Sequence, residues 1–344
     1  VRKVFHRFNY KEIRTPIFEQ TALFARSLGE LTDIVGKEMY TFTDRSDDSI
    51  TLRPEGTASV IRAYIQNNLG EAQPLVKLYY IGPMFRQERP QAGRLRQFHQ
   101  FGAEAIGSLQ PEVDAEIIAM TIQIYKELSL AKYALKISSV GCEKCRPHYK
   151  EILQNELRKI AAKLSPESQR RIEENPMRVL DSKDENDATL TANMPVITDH
   201  LCAECAGHFE SLKKYLTSFH IPYTVDGRLV RGLDYYTKTA FELTSAELGS
   251  QDALAGGGRY DLLTQELGGK ATPGVGFAAG IERLMMVLEK KGFEPAADIR
   301  PALFIASADA ESRAWSVATT MDLRSEGIAV EADFLARSLK AQMR

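Results

Sequence analysis

The chain has 344 residues, an apolar fraction of 44% and a formal net charge of −2, from 44 Lys and Arg against 46 Asp and Glu. This length suits two or three domains with a sizeable core, and the balanced charge excludes a nucleic-acid binder that works through bulk positive charge. No run is long and apolar enough to span a membrane and no signal peptide is visible, so we expect a cytosolic, membrane-free protein whose four cysteines stay reduced.

The first segment predicts a helix followed by an extended strand. Apolar residues from Val1 to Phe8 recur at helical spacing. Residues 10–19 then have the pattern of a strand, in which Pro16 is tolerated only at a sheet edge. The chain starts inside this helix and stops at Arg344 within an unfinished pattern, so both ends are expected to be truncated or disordered.

A hairpin and a strand-to-helix corner come next. Residues 40–52 predict a hairpin with a polar turn, and Pro54 stops its second strand. Thr57 is expected to cap a helix that continues through residues 58–68. Glu55 stands at the same corner, where a carboxylate is favourable near a helix start. These local roles compete with a second interpretation, in which both side chains bind a ligand.

Residues 84–107, MFRQERPQAGRLRQFHQFGAEAIG, predict two strands joined by a polar, glycine-containing loop. The first strand is expected to end around Arg86 to Glu88, and the second to run from about Arg96 to Ile106. Because side chains alternate along a strand, one face of the sheet collects an unusual set. Its members are Met84, Arg86 and Glu88 on the first strand, and Arg96, Phe98, Gln100 and Glu104 on the second.

This polar face predicts a nucleotide site. Buried charges cost several kcal/mol unless they are paired, so such a face has to meet something polar and charged. Arginine forks match phosphate oxygens, and an aromatic ring can stack on a base. A nucleotide lying on an antiparallel sheet satisfies both. The alternative is a solvated strand pair with ordinary surface salt bridges.

A helix over residues 111–126 and a strand over residues 133–140 are predicted next, followed by a charged, mostly helical stretch from residue 142 to about 219. We interpret this stretch as an inserted small domain. It carries a CxxC pair at each end: Cys142 and Cys145, then Cys202 and Cys205.

Two CxxC pairs can place four thiolates on one zinc ion. Residues 146–201 separate the pairs, which is more than usual, but an insert that leaves and rejoins one scaffold can bring its ends together. A structural zinc site and four reduced cysteines without a metal both stay open. His148 and His208 could replace a ligand, although each is more simply a surface histidine.

The segment LVRGLDYYTKTAFEL, residues 229–243, returns the chain to the main sheet. Strict alternation would put Arg231 and Tyr235 on one face and Tyr236 on the other, and Gly232 permits a bulge that would reset this. The alternative is a buried aromatic strand with one surface arginine.

Two glycine-rich segments follow. AGGGRYD, residues 255–261, predicts a tight strand where the backbone approaches something closely. PGVGFAAGIERLMMVL, residues 273–288, predicts a strand that enters a helix, with spacing that does not match a dinucleotide fingerprint. Arg283 in that helix could be an ordinary surface residue. From residue 301 a β-α-β-α order predicts the start of a parallel-sheet domain.

Several of these stretches resemble the class II aminoacyl-tRNA synthetases, in the form found in histidyl-tRNA synthetases. FRQE, the loop and RLRQFHQFGAE resemble motif 2, residues 1–19 resemble motif 1, and PGVGFAAGIERL resembles motif 3. LRPEGT, RGLDYYTKTAFE and AGGGRYD resemble the histidine motifs. Their shared order is far more specific than any single match.

The resemblance implies an α+β fold: a class II antiparallel sheet flanked by helices, with a helical insertion domain and a truncated α/β anticodon-binding domain. The implied domains are residues 1–140 and 221–297 for the two parts of the catalytic core, 141–220 for the insertion and 298–344 for the partial anticodon-binding domain. The motif 1 region is implied to form a homodimer interface.

The implied activity is that of a cytoplasmic histidine–tRNA ligase. Its substrates would be L-histidine, ATP with Mg²⁺ on its phosphates, and histidine tRNA. One alternative is the synthetase-like regulatory subunit of ATP phosphoribosyltransferase, which is not an enzyme and usually has eroded motifs. Another is a class II enzyme for threonine or proline, which RGLDYY disfavours.

The resemblance also implies roles for individual residues. Arg86 and Arg231 would be catalytic, with Arg231 reaching the α-phosphate and the carboxylate where other class II enzymes use a metal. Arg86, Glu88, Arg94, Phe98 and Arg283 would bind ATP. The histidine site would comprise Glu55 and Thr57 at the α-ammonium group, Arg86, Gln100 and Arg231 at the polar end, Glu104 and Tyr236 at the imidazole nitrogens, and Tyr235 and Tyr260 at the pocket wall.

Overall fold

The structure, a computed structural model, describes residues 1–28, 32, 34–89, 93–130, 132–182, 184–229, 235–245, 253–293 and 300–344. The chain separates into two compact units, Val1–Lys291 and Gly292–Arg344. The four-part domain division stays a prediction. No helix in these ranges combines the length and the apolar character needed to cross a membrane.

Strands in the described part of the first unit form two sheets. In chain order they are β1 (Lys11–Glu12), β2 (Phe18–Gln20), β3 (Thr41–Thr43), β4 (Ser49–Leu52), β5 (Val76–Phe85), β6 (Gln97–Ile106), β7 (Ala134–Ser139), β8 (Thr224–Val225), β9 (Thr237–Thr244), β10 (Ala253–Arg259) and β11 (Gly274–Gly280). The larger sheet has the order β1-β5-β6-β11-β10-β9-β7-β8, and β2-β4-β3 form the smaller one. The inner neighbours of the larger sheet are antiparallel, and the pairs at its two edges are parallel.

Helices cover both faces of the larger sheet. They are α1 (Arg2–Arg7), α2 (Thr21–Leu28), α3 (Thr57–Gln66), α4 (Leu69–Ala72), α5 (Pro111–Glu127), α6 (Cys145–Ile160), α7 (Pro166–Glu174), α8 (Glu185–Leu190), α9 (Ala203–Ser218), α10 (Leu263–Glu266) and α11 (Ile281–Lys290). Short turns of π-helix (Ile34–Glu38) and 3₁₀-helix (Ala161–Lys163, Pro176–Val179, Ile197–Asp199) lie between them.

Side-chain alternation along β5 shows how the core is divided. Tyr79 packs into a cluster with residues of α1, α5 and α9, whereas Leu78 and Tyr80 pack into a second cluster with residues of α2 and α3. The predicted helices at 1–8 and 111–126 and the predicted hairpin at 40–52 are confirmed. The predicted end of the first central strand was too late, because β5 ends at Phe85. One further backbone hydrogen bond, from Arg86 N to Arg96 O at 2.9 Å, still ties the two segments together.

The stretch from 142 to 219 is helical, as predicted, and has a small core of its own. Tyr149, Leu153 and Leu157 of α6 are fully buried against Ile172 of α7 and the 3₁₀ turn that contains Val179. The chain enters this insertion directly after β7 and leaves it through α9, which packs on α5.

The second unit contains β12 (Leu303–Ile305), α12 (Ala310–Ser325), β13 (Val330–Ala332) and α13 (Leu339–Gln342). β12 and β13 are parallel, so the predicted β-α-β-α order is confirmed. The Asp309 side chain caps α12 by accepting a hydrogen bond from Ser312 N at 2.8 Å. The last helix of this order is a single short turn, Leu339–Gln342.

Candidate active site

One cavity in the first unit collects most of the predicted site residues. Strands β6, β10 and β11 contribute to its lining, together with the corner between β4 and α3, the central hairpin, the residues just before β9 and the start of α11. The predicted residues that line it are Glu55, Thr57, Arg86, Glu88, Arg94, Phe98, Gln100, Tyr235, Tyr236, Tyr260 and Arg283. Arg231 lies outside the described residues. Pairing of the strands therefore brings together side chains that are far apart in the sequence.

The strand-to-helix corner at Glu55 differs from the prediction. Thr57 is not the N-cap of α3, because Gly56 takes that position. The Glu55 carboxylate instead accepts hydrogen bonds from Thr57 N at 2.6 Å and Ala58 N at 2.8 Å, and so satisfies the free N–H groups of the first turn. The Thr57 hydroxyl is thereby available to donate to Glu104 Oε1 at 2.8 Å. Burial raises the pKa of Glu55.

Glu104 lies beneath the cavity and is fully buried. Its carboxyl group accepts hydrogen bonds from Tyr260 Oη at 2.5 Å and Thr57 Oγ1 at 2.8 Å, with Tyr80 Oη at 3.5 Å. Burial raises its pKa to about 8, against the opposite effect of the Tyr260 and Thr57 hydrogen bonds. The Glu104 carboxyl group is therefore held in place by hydroxyl groups from three segments of the chain.

The central hairpin presents Arg86 and Phe98 to the cavity. Arg86 Cζ lies 5.4 Å from the centroid of the Phe98 ring, and Arg86 Nε donates to Pro54 O at 3.0 Å. Glu88 Oε2 lies 3.0 Å from an Arg94 guanidinium nitrogen. Arg96, which alternation placed on the same face, is exposed and is not part of the cavity lining.

Gln100 lines the cavity and has a side-chain oxygen without a hydrogen-bond partner among the described residues. This oxygen, Oε1, is buried. Because a buried acceptor without a partner is costly, this oxygen is a natural contact for a donor group on a ligand.

Both tyrosines of the RGLDYY segment face the cavity. The rings of Tyr235 and Tyr236 are 4.8 Å apart, and Tyr235 meets Tyr260 edge to face at 5.8 Å. They precede β9, so strict alternation does not apply to them. The register of β9 against β10 shifts beside Lys238, which has a φ of 47°. The bulge predicted at Gly232 falls outside the described residues.

The glycines of β10 and β11 are required by close approach of the strands. A Cβ at Gly257 would lie 2.2 Å from the backbone oxygen of Gly276, and a Cβ at Gly276 would lie 1.8 Å from Glu104 Oε2. The predicted close contact is thus made by neighbouring backbone and by the buried carboxyl group.

Arg283 is half-buried at the cavity, so it is not the surface residue of the alternative interpretation. Its guanidinium donates to Gly93 O at 3.2 Å and Ala253 O at 3.1 Å, which links the central hairpin loop to the start of β10. Burial and the positive charge of Arg94 lower its pKa.

Sequence reasoning missed a buried polar network behind β9 and β10. Asp114 and Arg259 form a fully buried ion pair, and the Asp114 carboxylate also accepts from Thr239 Oγ1 at 2.5 Å. His208 Nε2 lies 2.8 Å from Asp114 Oδ2, so the histidine is neither at the surface nor among the cysteines. Burial, Arg259 and Lys238 lower the pKa of His208 to about 4, which leaves the ring neutral at pH 7. The available signal was an aspartate inside the apolar pattern of α5.

The insertion brings its two CxxC pairs together. The Sγ atoms of Cys142, Cys145, Cys202 and Cys205 all lie within 4.8 Å of one another, and no disulfide joins them.

Comparisons with known proteins agree with this geometry. The profile of the family described as Histidyl-tRNA synthetase matches residues 1–284. A histidine–tRNA ligase of Desulforamulus reducens is 52% identical over 343 residues, which span 100% of this chain and 82% of that protein. The apo crystal structure of S. aureus histidyl-tRNA synthetase matches with a TM-score of 0.81 and 42% identity, over 99% of this chain and 81% of that one.

A more distant solved structure shares the fold alone. It is an ATP phosphoribosyltransferase regulatory subunit/histidyl-tRNA synthetase from Bacillus halodurans, with a TM-score of 0.65 and 22% identity over 97% of this chain and 86% of that one. The profile match and the identity over the whole chain show that the chain belongs to the histidyl-tRNA synthetase family of class II aminoacyl-tRNA synthetases.

Proposed function

We propose that the cavity activates L-histidine with ATP, and that the chain then transfers histidine to the 3′ end of histidine tRNA. One observation carries this proposal: the arginines, the aromatic ring and the carboxyl groups of the family's motifs line or underlie a single cavity. The names of relatives that are about half identical over the full chain support the same activity.

In the first step the histidine carboxylate attacks the α-phosphorus of ATP, a P–O bond forms, and pyrophosphate leaves. The carboxylate is already a nucleophile at neutral pH, so no general base is needed. Negative charge grows on phosphate oxygens in the transition state, and fixed guanidinium groups stabilise it. Arg86, whose Nε donates to Pro54 O, supplies one such group from the central hairpin. Arg231 is proposed to supply the other.

Histidine would lie between the tyrosines and the central hairpin. Glu104 and Tyr236 would meet the two imidazole nitrogens, while Tyr235 and Tyr260 form the wall. The unused Oε1 of Gln100 supports a contact with the amino acid's α-ammonium group. Glu55 and Thr57 would complete that contact, since a carboxylate that accepts two backbone bonds still has free lone pairs.

ATP would occupy the side of the cavity that contains Phe98, with the adenine between this ring and Arg283. Arg94 and Glu88 lie next to it and would order the phosphates and the motif 2 loop. Mg²⁺ would accompany the phosphates and neutralise part of their charge. Glu88 could contribute a carboxylate oxygen to such an ion, in exchange for the ion pair that its Oε2 makes with Arg94 at 3.0 Å.

The remaining proposals concern the oligomeric state, the location in the cell and a bound metal ion. A homodimer through the motif 1 region is supported by two exposed apolar residues at the start of β2, Ile17 at 44% and Phe18 at 54% exposure. We further propose a cytoplasmic location and a structural Zn²⁺ held by Cys142, Cys145, Cys202 and Cys205.

ATP–pyrophosphate exchange measured across the amino acids tests the activity. Exchange with histidine alone is expected. Exchange with threonine or proline would replace the substrate, and exchange with none would favour the regulatory alternative, which performs no adenylation.

Arg231→Ala tests the mechanism in the same assay. Histidine-dependent exchange should be abolished while the far-ultraviolet circular dichroism stays that of the wild type. Exchange at the wild-type rate would remove Arg231 from the mechanism. Arg158→Ala, at an exposed position in the insertion, is the matched control and should retain full exchange.

A further inference from the structure

Four cysteine sulfurs lie at the base of the insertion in a compact, regular arrangement. The distances from Cys142 Sγ to Cys145 Sγ and to Cys202 Sγ are both 3.8 Å, and Cys145 Sγ lies 3.8 Å from Cys205 Sγ. A zinc ion with Zn–S bonds of about 2.3 Å in tetrahedral geometry requires sulfur atoms about 3.8 Å apart. A disulfide would bring two of them to about 2.05 Å.

Other ligands do not compete for this position in the described residues. His148 is exposed and belongs to no such cluster. His208, which lies one helical turn after Cys205 on α9, has its Nε2 2.8 Å from Asp114 Oδ2 and is not part of the sulfur cluster. The donor set is therefore sulfur alone, which selects zinc over the hard cations Mg²⁺ and Ca²⁺.

The local backbone is shaped for thiolates. Lys144 N lies 3.4 Å from Cys142 Sγ and donates to it. Gly141 has a φ of +70°, and a Cβ there would lie 2.8 Å from Cys145 Sγ, so only glycine lets that sulfur approach. Cys145 begins α6 and Cys202 is the N-cap of α9, and each is a helix of 16 residues whose N-terminus favours negative charge.

We propose that Cys142, Cys145, Cys202 and Cys205 bind one structural Zn²⁺ that clamps the two ends of the insertion and thereby fixes the segment carrying Tyr235 and Tyr236. One cysteine pair follows β7, where the insertion begins, and the other opens α9, where it ends. A single ion thus closes the insertion at its base.

Lys238 connects this clamp to the tyrosines. Its backbone N donates to Gly141 O at 2.8 Å, and its O accepts from Val140 N at 2.7 Å. Its ammonium group lies 2.9 Å from Glu204, the neighbour of Cys205. The Arg146 side chain donates to Val140 O at 3.1 Å and also to Tyr236 O. Residues next to both cysteine pairs therefore contact Lys238, and Arg146, which follows Cys145, also contacts the backbone of Tyr236.

Metal analysis of the purified full chain, prepared under reducing conditions, tests the site without any use of activity. One zinc per chain is expected, and Co²⁺ exchanged into the protein should give the visible bands of a tetrahedral tetrathiolate. Cys202→Ser should lose the metal, whereas His148→Ala, the matched control, should keep it. Zinc well below one per chain in the wild type, or zinc that survives Cys202→Ser, overturns the proposal.

The connection to the tyrosines is tested by amide hydrogen exchange before and after zinc removal by a chelator. Amides of residues 235–240 should exchange at least tenfold faster in the zinc-free protein, and those of α5 should not change. Unchanged exchange at 235–240 overturns the clamp.

A loss of histidine affinity, measured by equilibrium dialysis, is expected in parallel and rests on the proposed function. If the zinc-loaded wild type failed to bind histidine, the proposed function would fail while the metal and exchange results still decided the clamp.

Discussion

The hydroxyl group of Tyr260 donates a 2.5 Å hydrogen bond to Oε2 of Glu104, at a point where both side chains are almost completely buried. This bond joins the residue after β10 to β6, two strands that are separated by β11. It fixes the acceptor that we assign to the imidazole. It also places a titratable group with a displaced pKa in the core, which gives the first prediction.

The stability of the protein should depend on pH through Glu104. Burial raises its pKa from 4.5 to about 8, so the folded state binds this proton more tightly than the unfolded state. Stability from this group is therefore complete below pH 4.5 and is lost as the pH rises to about 8. In urea unfolding, the wild type should lose stability over this window faster than Glu104→Gln. Parallel curves for the two proteins would contradict the shift.

Breaking the buried ion pair should strongly destabilise the first unit. Arg259→Met leaves the Asp114 carboxylate buried without its partner, and we expect a loss of about 3 to 5 kcal/mol in urea unfolding. The double variant with Asp114→Asn should recover part of the loss. Arg158→Met removes an exposed pair with Glu173 and is the control, with a far smaller effect. If both single variants lost the same unfolding free energy, burial of the ion pair would not determine how much its loss destabilises the protein.

A methyl group at Gly276 should disturb the cavity. Its Cβ would lie 1.8 Å from Glu104 Oε2 and 2.6 Å from Ala103 O, so both strands have to move. Gly276→Ala should lower the melting temperature and weaken histidine binding at least tenfold. In contrast, nothing lies within 4 Å of a Cβ at Gly207, which is inside α9. Gly207→Ala should stabilise the helix by up to about 1 kcal/mol. A harmless Gly276→Ala would contradict the described packing.

Two arginines of the central hairpin should differ in their importance for adenylation. Arg86 lines the cavity, whereas Arg96 is exposed, although alternation placed both on one face. Arg86→Ala should reduce kcat/KM for histidine-dependent pyrophosphate exchange by roughly 100-fold or more. Arg96→Ala should stay within a few-fold of the wild type. Comparable losses would mean that the loop closes over ATP and brings Arg96 into the site.

Much of this fold could be predicted from the sequence, because the spacing of apolar residues indicates which face of a helix or strand is buried. The helix α5 and the strand-to-helix transition at Ile281 follow from such patterns. The position of Phe98 and Gln100 at the cavity follows from alternation along β6, which puts both side chains on the same face.

The errors have local causes. Thr57 is a residue type that favours the N-cap position, but the helix begins one residue earlier, since Val60 N donates to Gly56 O. The Thr57 hydroxyl donates to Glu104 instead. The ion pair of Asp114 and Arg259 joins residues that only tertiary structure brings together, so periodicity cannot reveal it. The sulfur cluster, in contrast, was raised as a possibility by the two CxxC pairs, and the structure brings the four sulfur atoms together.

The pairing of Ser139 with Thr239 in neighbouring strands has a consequence for how the molecule tolerates change. The whole insertion departs and returns at points one strand spacing apart, so the chain makes a detour that leaves the order of β5, β6, β11, β10, β9 and β7 intact. A direct connector from β7 to β9 would also remove β8, α9 and the cavity residues Tyr235 and Tyr236, so only the part of the insertion between the two cysteine pairs can be shortened. The insertion is therefore a module whose length can change, in evolution or by engineering, without a change in the strand order of the larger sheet.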